Sequence, residues 1–150
     1  MFALRQYKLR RCCISLFCAA IIGAFFWGAH PDPAWSEDYG ESLLDIVPPE
    51  LMEKEIPFTE EELARYLADY KTAKPMTDTE ADKFFSAQGW SEERLIYITV
   101  KIAVGLEVLQ NGDNSPLLQN VPKIMFPTKA ERKLIKAHSA EIEEIFIVGH

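Results

Sequence analysis

A run of uncharged, mostly apolar residues at positions 12–29 constrains this chain more than any other feature of its sequence. The eleven positions before the run carry four cations and no acid: Arg5, Lys8, Arg10 and Arg11. Prolines and acids follow it. A basic start, an apolar middle and a polar end with small residues is the layout of a secretory signal peptide. Because the cations remain on the inner side, this order also predicts that the rest of the chain crosses the membrane.

Two interpretations of the leader, residues 1–36, remain open. Cleavage would follow Ser36, since Ala34 and Ser36 provide the small side chains that a signal peptidase requires. A retained anchor is the alternative, because the apolar run is longer than the usual 7–15 residues or so and is just long enough to span a bilayer. With cleavage we expect a periplasmic or extracellular protein. With a retained leader we expect a protein anchored in the membrane, which contacts the bilayer only through residues 12–29.

The composition beyond the leader excludes several classes of site. Cys12, Cys13 and Cys18 all lie in the leader, so the domain has no disulfide, thiol nucleophile or thiolate metal ligand. The leader holds four of the 16 cations and one of the 23 acids, which leaves a net charge of about −10 for residues 37–150. A charge of this sign repels nucleic acid and anionic lipid, so no nucleic-acid partner is expected.

Helix-capping signals and apolar periodicity divide the remainder into a lead-in, residues 37–58, and a helical domain, residues 59–150. Three sequences of the form Thr-x-x-Glu predict capping boxes, beginning at Thr59, Thr77 and Thr128. Ser91 caps a fourth helix. We therefore expect helices over residues 60–73, 78–88 and 92–110, and a last continuous helix from residue 129 to about 148. The fold class predicted is all-α, a small bundle of about four main helices.

The third of these helices is apolar on nearly all sides, which predicts that it lies at the centre of the domain. A strand is the competing interpretation, because the segment is rich in β-branched residues, but its length and its caps favour a helix. Gly105 would allow another helix to approach closely. Residues 111–127 contain several prolines and apolar side chains, so we expect an ordered loop that packs over the core.

His138 is the residue that most suggests chemistry. It lies on the apolar side of the last helix, and Glu141 follows at i+3, so that the two side chains could share a metal ion or a proton. Two ligands are fewer than the three or four of most metal sites. The sequence contains no glycine cluster for phosphates and no G-x-S-x-G elbow. We expect no catalytic residue and no cofactor.

Aromatic residues are numerous for a domain of this size. Tyr66, Tyr70, Trp90 and Tyr97 could belong to the core, or could line a groove for a peptide or partner helix. Residues 77–110 have the outline of a helix-turn-helix, but their net charge is −3, which disfavours contact with DNA. The function predicted is an exported interaction module of the cell envelope that binds another envelope protein or a peptide, without catalysis. A metal-binding protein or small enzyme centred on His138, and a carrier of lipid or a small ligand, are the alternatives.

Overall fold

The computed structural model describes residue 47 and residues 49–146, so the predicted leader and the last four residues lie outside the described residues. Regular secondary structure in the described part is entirely helical. The helices are α1 (Pro49–Lys54), α2 (Glu60–Ala73), α3 (Asp78–Ala87), α4 (Glu92–Asn111), α5 (Lys129–Ala137) and α6 (Ser139–Phe146). Two short 3₁₀ turns, Pro116–Leu118 and Lys123–Met125, lie between α4 and α5. The predicted all-α bundle is confirmed.

Local caps start the helices where the sequence predicts them. The carboxylate of Glu80 accepts hydrogen bonds from the Thr77 amide (2.9 Å) and hydroxyl (2.7 Å). At α5 the reciprocal box is complete, with Thr128 and Glu131 bonded to each other's backbone amides. The box expected at Thr59 is half formed. The Thr59 hydroxyl accepts from the Glu62 amide, but the Glu62 carboxylate pairs with Arg94 instead.

Helix α4 forms the centre of the bundle, as its apolar sequence predicts, and the strand alternative is wrong. Its residues 97–107 are all buried. Helix α5 packs across it at Gly105, where an added Cβ would lie 2.5 Å from Ile135 Cδ1. Helices α3 and α6 pack against α2, and α1 packs against the 3₁₀ turn Lys123–Met125. The loop between α4 and α5 covers the core as expected and buries Leu118, Val121 and Met125.

The lead-in contributes directly to this core. Val47, Met52 and Phe58 are each no more than 3% exposed and belong to the same apolar cluster as the centre of α4. Pro49 occupies the first helical position of α1, where a missing amide proton costs little. The packed unit therefore begins upstream of Thr59.

The expected continuous last helix is wrong, because the chain changes direction at His138. The backbone of His138 has φ −103° and ψ 11°, outside the α-helical region, and its amide closes α5 by bonding to the Leu134 carbonyl. Helix α6 then starts at Ser139 and turns its apolar side, Ile142, Ile145 and Phe146, into the core. This bend lets both α5 and α6 bury an apolar face, which one straight helix over the same residues could not do against α4 and α2.

Candidate functional site

A buried polar network joins α4 to α5 through Glu131, which has no exposed surface. Glu131 Oε1 accepts from the Tyr97 hydroxyl (2.9 Å) and from the Phe58 amide (3.4 Å). Its Oε2 accepts from the Thr128 amide at 2.7 Å. The capping glutamate of α5 is thus also the acceptor that fixes the segment before α2 and the tyrosine of α4.

Lys101 extends this network on the same side of α4. Its Nζ donates to the carbonyls of Ile124 and Phe126, both at 2.7 Å, and lies 5.2 Å from the Tyr97 ring centroid. Burial lowers the pKa of Lys101, and the nearby charge of Glu131 partly offsets that shift. The lysine holds the second 3₁₀ turn against the central helix, so its polar groups serve the fold.

Arg94 performs a similar role at the start of α4. Its Nε and Nη2 donate to Oε1 (2.7 Å) and Oε2 (2.5 Å) of Glu62, while Nη1 donates to Glu55 (3.0 Å) and to the Ile56 carbonyl (2.6 Å). The hydrogen bonds that Arg94 donates to the Glu62 carboxylate are the main reason that the pKa of Arg94 is raised. A guanidinium that makes two parallel bonds to one carboxylate is a geometrically specific pair. Here it joins α2, the lead-in and α4.

Three of the four aromatic residues considered for a partner groove lie in the core. Tyr66, Trp90 and Tyr97 are 0%, 7% and 2% exposed, so their rings are covered by the chain itself. Trp90 Nε1 donates to Asp69 Oδ2 (2.7 Å), and the Tyr66 hydroxyl bonds to Thr99 Oγ1 (2.7 Å). Tyr70 is partly exposed and lies 4.6 Å, between ring centroids, from Phe146. Tyr66 and Tyr70 of α2 contact Trp90 and Phe146, whereas Tyr97 joins α4 to α5 through Glu131.

His138 and Glu141 are brought together as their spacing predicts. The distance between His138 Nδ1 and Glu141 Oε2 is 3.4 Å, and the imidazole is mostly covered while the carboxylate is about half exposed. Among residues 49–146, no third His, Cys, Asp or Glu joins the pair in a group able to hold a metal ion. The structure therefore places the imidazole of His138 beside the carboxylate of Glu141 at the bend between α5 and α6.

Glu107 is a second buried carboxylate, and it is less fully bonded than Glu131. It is 1% exposed, and its Oε1 accepts from Asn111 Nδ2 (3.0 Å) and from the Ser115 hydroxyl. Its Oε2 has no hydrogen-bond partner in the described part of the chain. These contacts hold the start of the loop against the end of α4.

The outer surface of α5 is a feature that the search for chemistry in the sequence missed. We call it the α5 cationic face, and define it by Lys129, Arg132, Lys133 and Lys136. Lys129, Lys133 and Lys136 are exposed, and no described carboxylate lies within 4.0 Å of their amino groups. Glu131, the acid of this helix, points inward, so every outward charge on α5 is positive. The spacing i, i+4, i+7 of the three lysines was the available sequence signal.

Arg132 lies beside the three lysines and is partly held in place. Its Nη1 forms an ion pair with Asp113 Oδ1 at 2.9 Å, and its Nε donates to the Pro127 carbonyl at 3.3 Å. About a third of its side chain is exposed. These two contacts orient the guanidinium on the face and leave its Nη2 group available to a further acceptor.

Comparisons with models of protein families, with curated proteins and with solved structures found no match to this chain. Within the described residues, no helix combines the length and the apolar character needed to cross a membrane. Any functional conclusion must therefore rest on the chain's own surface and interior.

The buried Tyr97 gives a testable dependence of stability on pH. Burial, helped by the hydrogen bond to Glu131, raises the pKa of Tyr97 above its ordinary value near 10. A raised pKa means that the folded state holds the proton more tightly, so this stabilisation is complete below about pH 10 and is lost above it. We expect the wild type to lose stability more steeply above pH 10 than Tyr97→Phe, although Tyr97→Phe starts from a lower stability at neutral pH.

Urea unfolding at a series of pH values from about 8 to about 11 measures this difference. Lys101 contributes in the opposite direction, because its lowered pKa favours folding as the pH rises, but Lys101 is present in both proteins. Its contribution therefore largely cancels in the comparison. If the free energies of unfolding of the two proteins fall in parallel above pH 10, the raised pKa of Tyr97 is contradicted.

Proposed function

We propose that this chain is an exported helical interaction module of the cell envelope, and that it binds another protein or a peptide through the α5 cationic face. The observation that carries the proposal is the separation of charge on this helix. Residues 49–146 hold 12 cations and 18 acids, yet four of the cations lie within eight positions of α5 and the one acid among them is buried.

Stability does not account for this arrangement. Like charges three or four positions apart on a helix repel each other, at a cost of about 0.2–0.5 kcal/mol per pair. Lys129 occupies the first turn of α5, where the helix dipole disfavours a cation. Acids are abundant elsewhere in the chain, so one or two at these positions would relieve the repulsion. A binding role explains why the repulsion is retained.

The interior supports a role in binding over a role in catalysis. The Tyr97 hydroxyl and the Phe58 amide donate to Glu131, and Lys101 donates to two backbone carbonyls, so each of these contacts joins two segments of the chain. The surface, by contrast, carries free charged groups. The export part of the proposal depends on the predicted leader.

Site-specific photocrosslinking tests the proposal in cells that make the full-length chain. A photoreactive residue at position 133 should give a discrete adduct with one partner, whereas the same residue at exposed position 83 on α3 should not. Lys129→Glu/Lys136→Glu should abolish the adduct at position 133. The control, Lys54→Glu/Lys83→Glu, makes the same charge change at exposed lysines elsewhere and should leave the adduct intact.

Two results would refute this proposal. One is equal crosslinking from positions 133 and 83, and the other is no effect of Lys129→Glu/Lys136→Glu on the adduct. For the export part, a reporter enzyme fused to the C-terminus should be active outside the cytoplasm. A reporter found active in the cytoplasm would contradict it.

A further inference from the structure

We infer that the α5 cationic face binds an acidic helical segment of its partner, with carboxylates on one side repeating at every turn. This inference rests on the proposed function and specifies the chemistry of the partner. The three free lysines lie at i, i+4 and i+7, which places them along roughly 10 Å of one helix face at 1.5 Å per residue. A helix with glutamates at the same spacing places one carboxylate near each amino group.

Arg132 differs from the three exposed lysines because its guanidinium already contacts other groups of the chain. Its guanidinium is held by Pro127 and Asp113, so less side-chain entropy is lost when it bonds to a further carboxylate. Guanidinium groups also bind carboxylates with two parallel hydrogen bonds, which lysine cannot do. We therefore expect Arg132 to contribute to orientation, and Lys129, Lys133 and Lys136 to contribute to attraction.

A flat anionic membrane surface fits this face less well than a narrow segment does. Helix α6 follows α5 directly and carries Glu141, Glu143 and Glu144, none of which lies in the core. These acids, and the net charge of about −10 for residues 37–150, oppose the approach of an extended anionic bilayer. In addition, α5 has turned its apolar face onto α4, leaving no apolar face to insert between lipids.

The test uses the full-length chain in a non-ionic detergent and a fluorescent synthetic peptide, measured by anisotropy. The peptide is helical and carries glutamates at i, i+4 and i+7. One control peptide has glutamine at those positions, and a second keeps the glutamates but distributes them around the helix. We expect the first peptide to bind more tightly than either control, and its binding to weaken as the ionic strength rises from about 50 to about 500 mM.

The protein variants locate the site. Lys129→Glu/Lys136→Glu should weaken binding of the acidic peptide about tenfold or more, because each change replaces an attraction with a repulsion. Lys54→Glu/Lys83→Glu should change it less than about twofold. Circular dichroism verifies folding. A glutamate at position 129 would face Lys133 at i+4 and match the helix dipole, so we expect α5 to remain formed.

The outcomes separate the inferred partner chemistry from the proposed function. If the adduct at position 133 forms in cells but the acidic peptide does not bind, the inferred partner chemistry is wrong while the proposed function stands. If vesicles containing phosphatidylglycerol bind more tightly than the peptide, and Lys129→Glu/Lys136→Glu releases them, the partner is a lipid surface and the inference is overturned. If neither adduct nor peptide binding is seen, both proposals fail.

Discussion

Replacing Glu131 with alanine should lower the free energy of unfolding by about 3–5 kcal/mol, a large part of the stability of a domain this size. The carboxylate is the acceptor for the Tyr97 hydroxyl and for the amides of Phe58 and Thr128. Its removal leaves the Tyr97 hydroxyl and the Phe58 amide unpaired in the interior, where each unsatisfied group costs about 1–3 kcal/mol. It also removes the acid whose charge favours the buried Lys101 cation.

Glu80→Ala is the matched control, since Glu80 occupies the same third helical position in the capping box of α3. Its bonds to Thr77 are exposed, so water can replace them, and we expect a much smaller loss of stability. Urea unfolding of the two variants, followed by circular dichroism, measures the difference. Comparable losses for both would show that Glu131 acts as a helix cap and that its buried contacts add little.

Replacing Gly105 with valine should lower the free energy of unfolding by about 3 kcal/mol. Helix α5 crosses α4 at this glycine, and even one added carbon would lie 2.5 Å from Ile135 Cδ1 and 3.3 Å from Pro127 Cγ. Ile135 is fully buried, so its side chain has little space into which to move. Valine has a higher helix propensity than glycine, but this gain is less than about 1 kcal/mol and is too small to offset the overlap.

A double-mutant cycle identifies the contact responsible. Gly105→Ala adds one carbon at the crossing, and Ile135→Val deletes the Cδ1 atom that this carbon would overlap. Ile135→Val alone should cost about 0.5–1.5 kcal/mol. Combined with Gly105→Ala, it should cost less than the sum of the two single changes, because the new methyl occupies the vacated volume. If the losses in free energy of unfolding from the two single changes simply add in the double variant, the close approach of α5 to Gly105 is contradicted.

The sequence was sufficient to locate most of the helices. The caps at Thr59, Thr77, Ser91 and Thr128, and the apolar repeat that follows each, predicted α2, α3, α4 and the start of α5 to within one residue. These signals are local, because a cap and the apolar repeat involve residues only a few positions apart. The central position of α4 was predicted as well, since a helix that is apolar on nearly all sides has to be covered by its neighbours.

The candidate site was less accessible to sequence reasoning. His138 and Glu141 were correctly expected to be neighbours, because their separation along the chain fixes that relation. Tyr66, Trp90 and Tyr97 could have been core or groove residues, and only the packing of other segments over them decided in favour of the core. The cationic face appears once Glu131 is seen to point inward, which its capping role alone does not require.

What the amino-acid sequence determined by itself was the all-α class, the positions of the caps, and the helix that forms the centre. The tertiary structure decided the bend at His138, the pairing of the Glu62 carboxylate with Arg94 in place of its cap, and the burial of Glu131 beneath a surface of lysines. The physical reason is the range of the interactions. Caps and apolar repeats act over a few residues, whereas bends, ion pairs and charge separation depend on which distant faces meet.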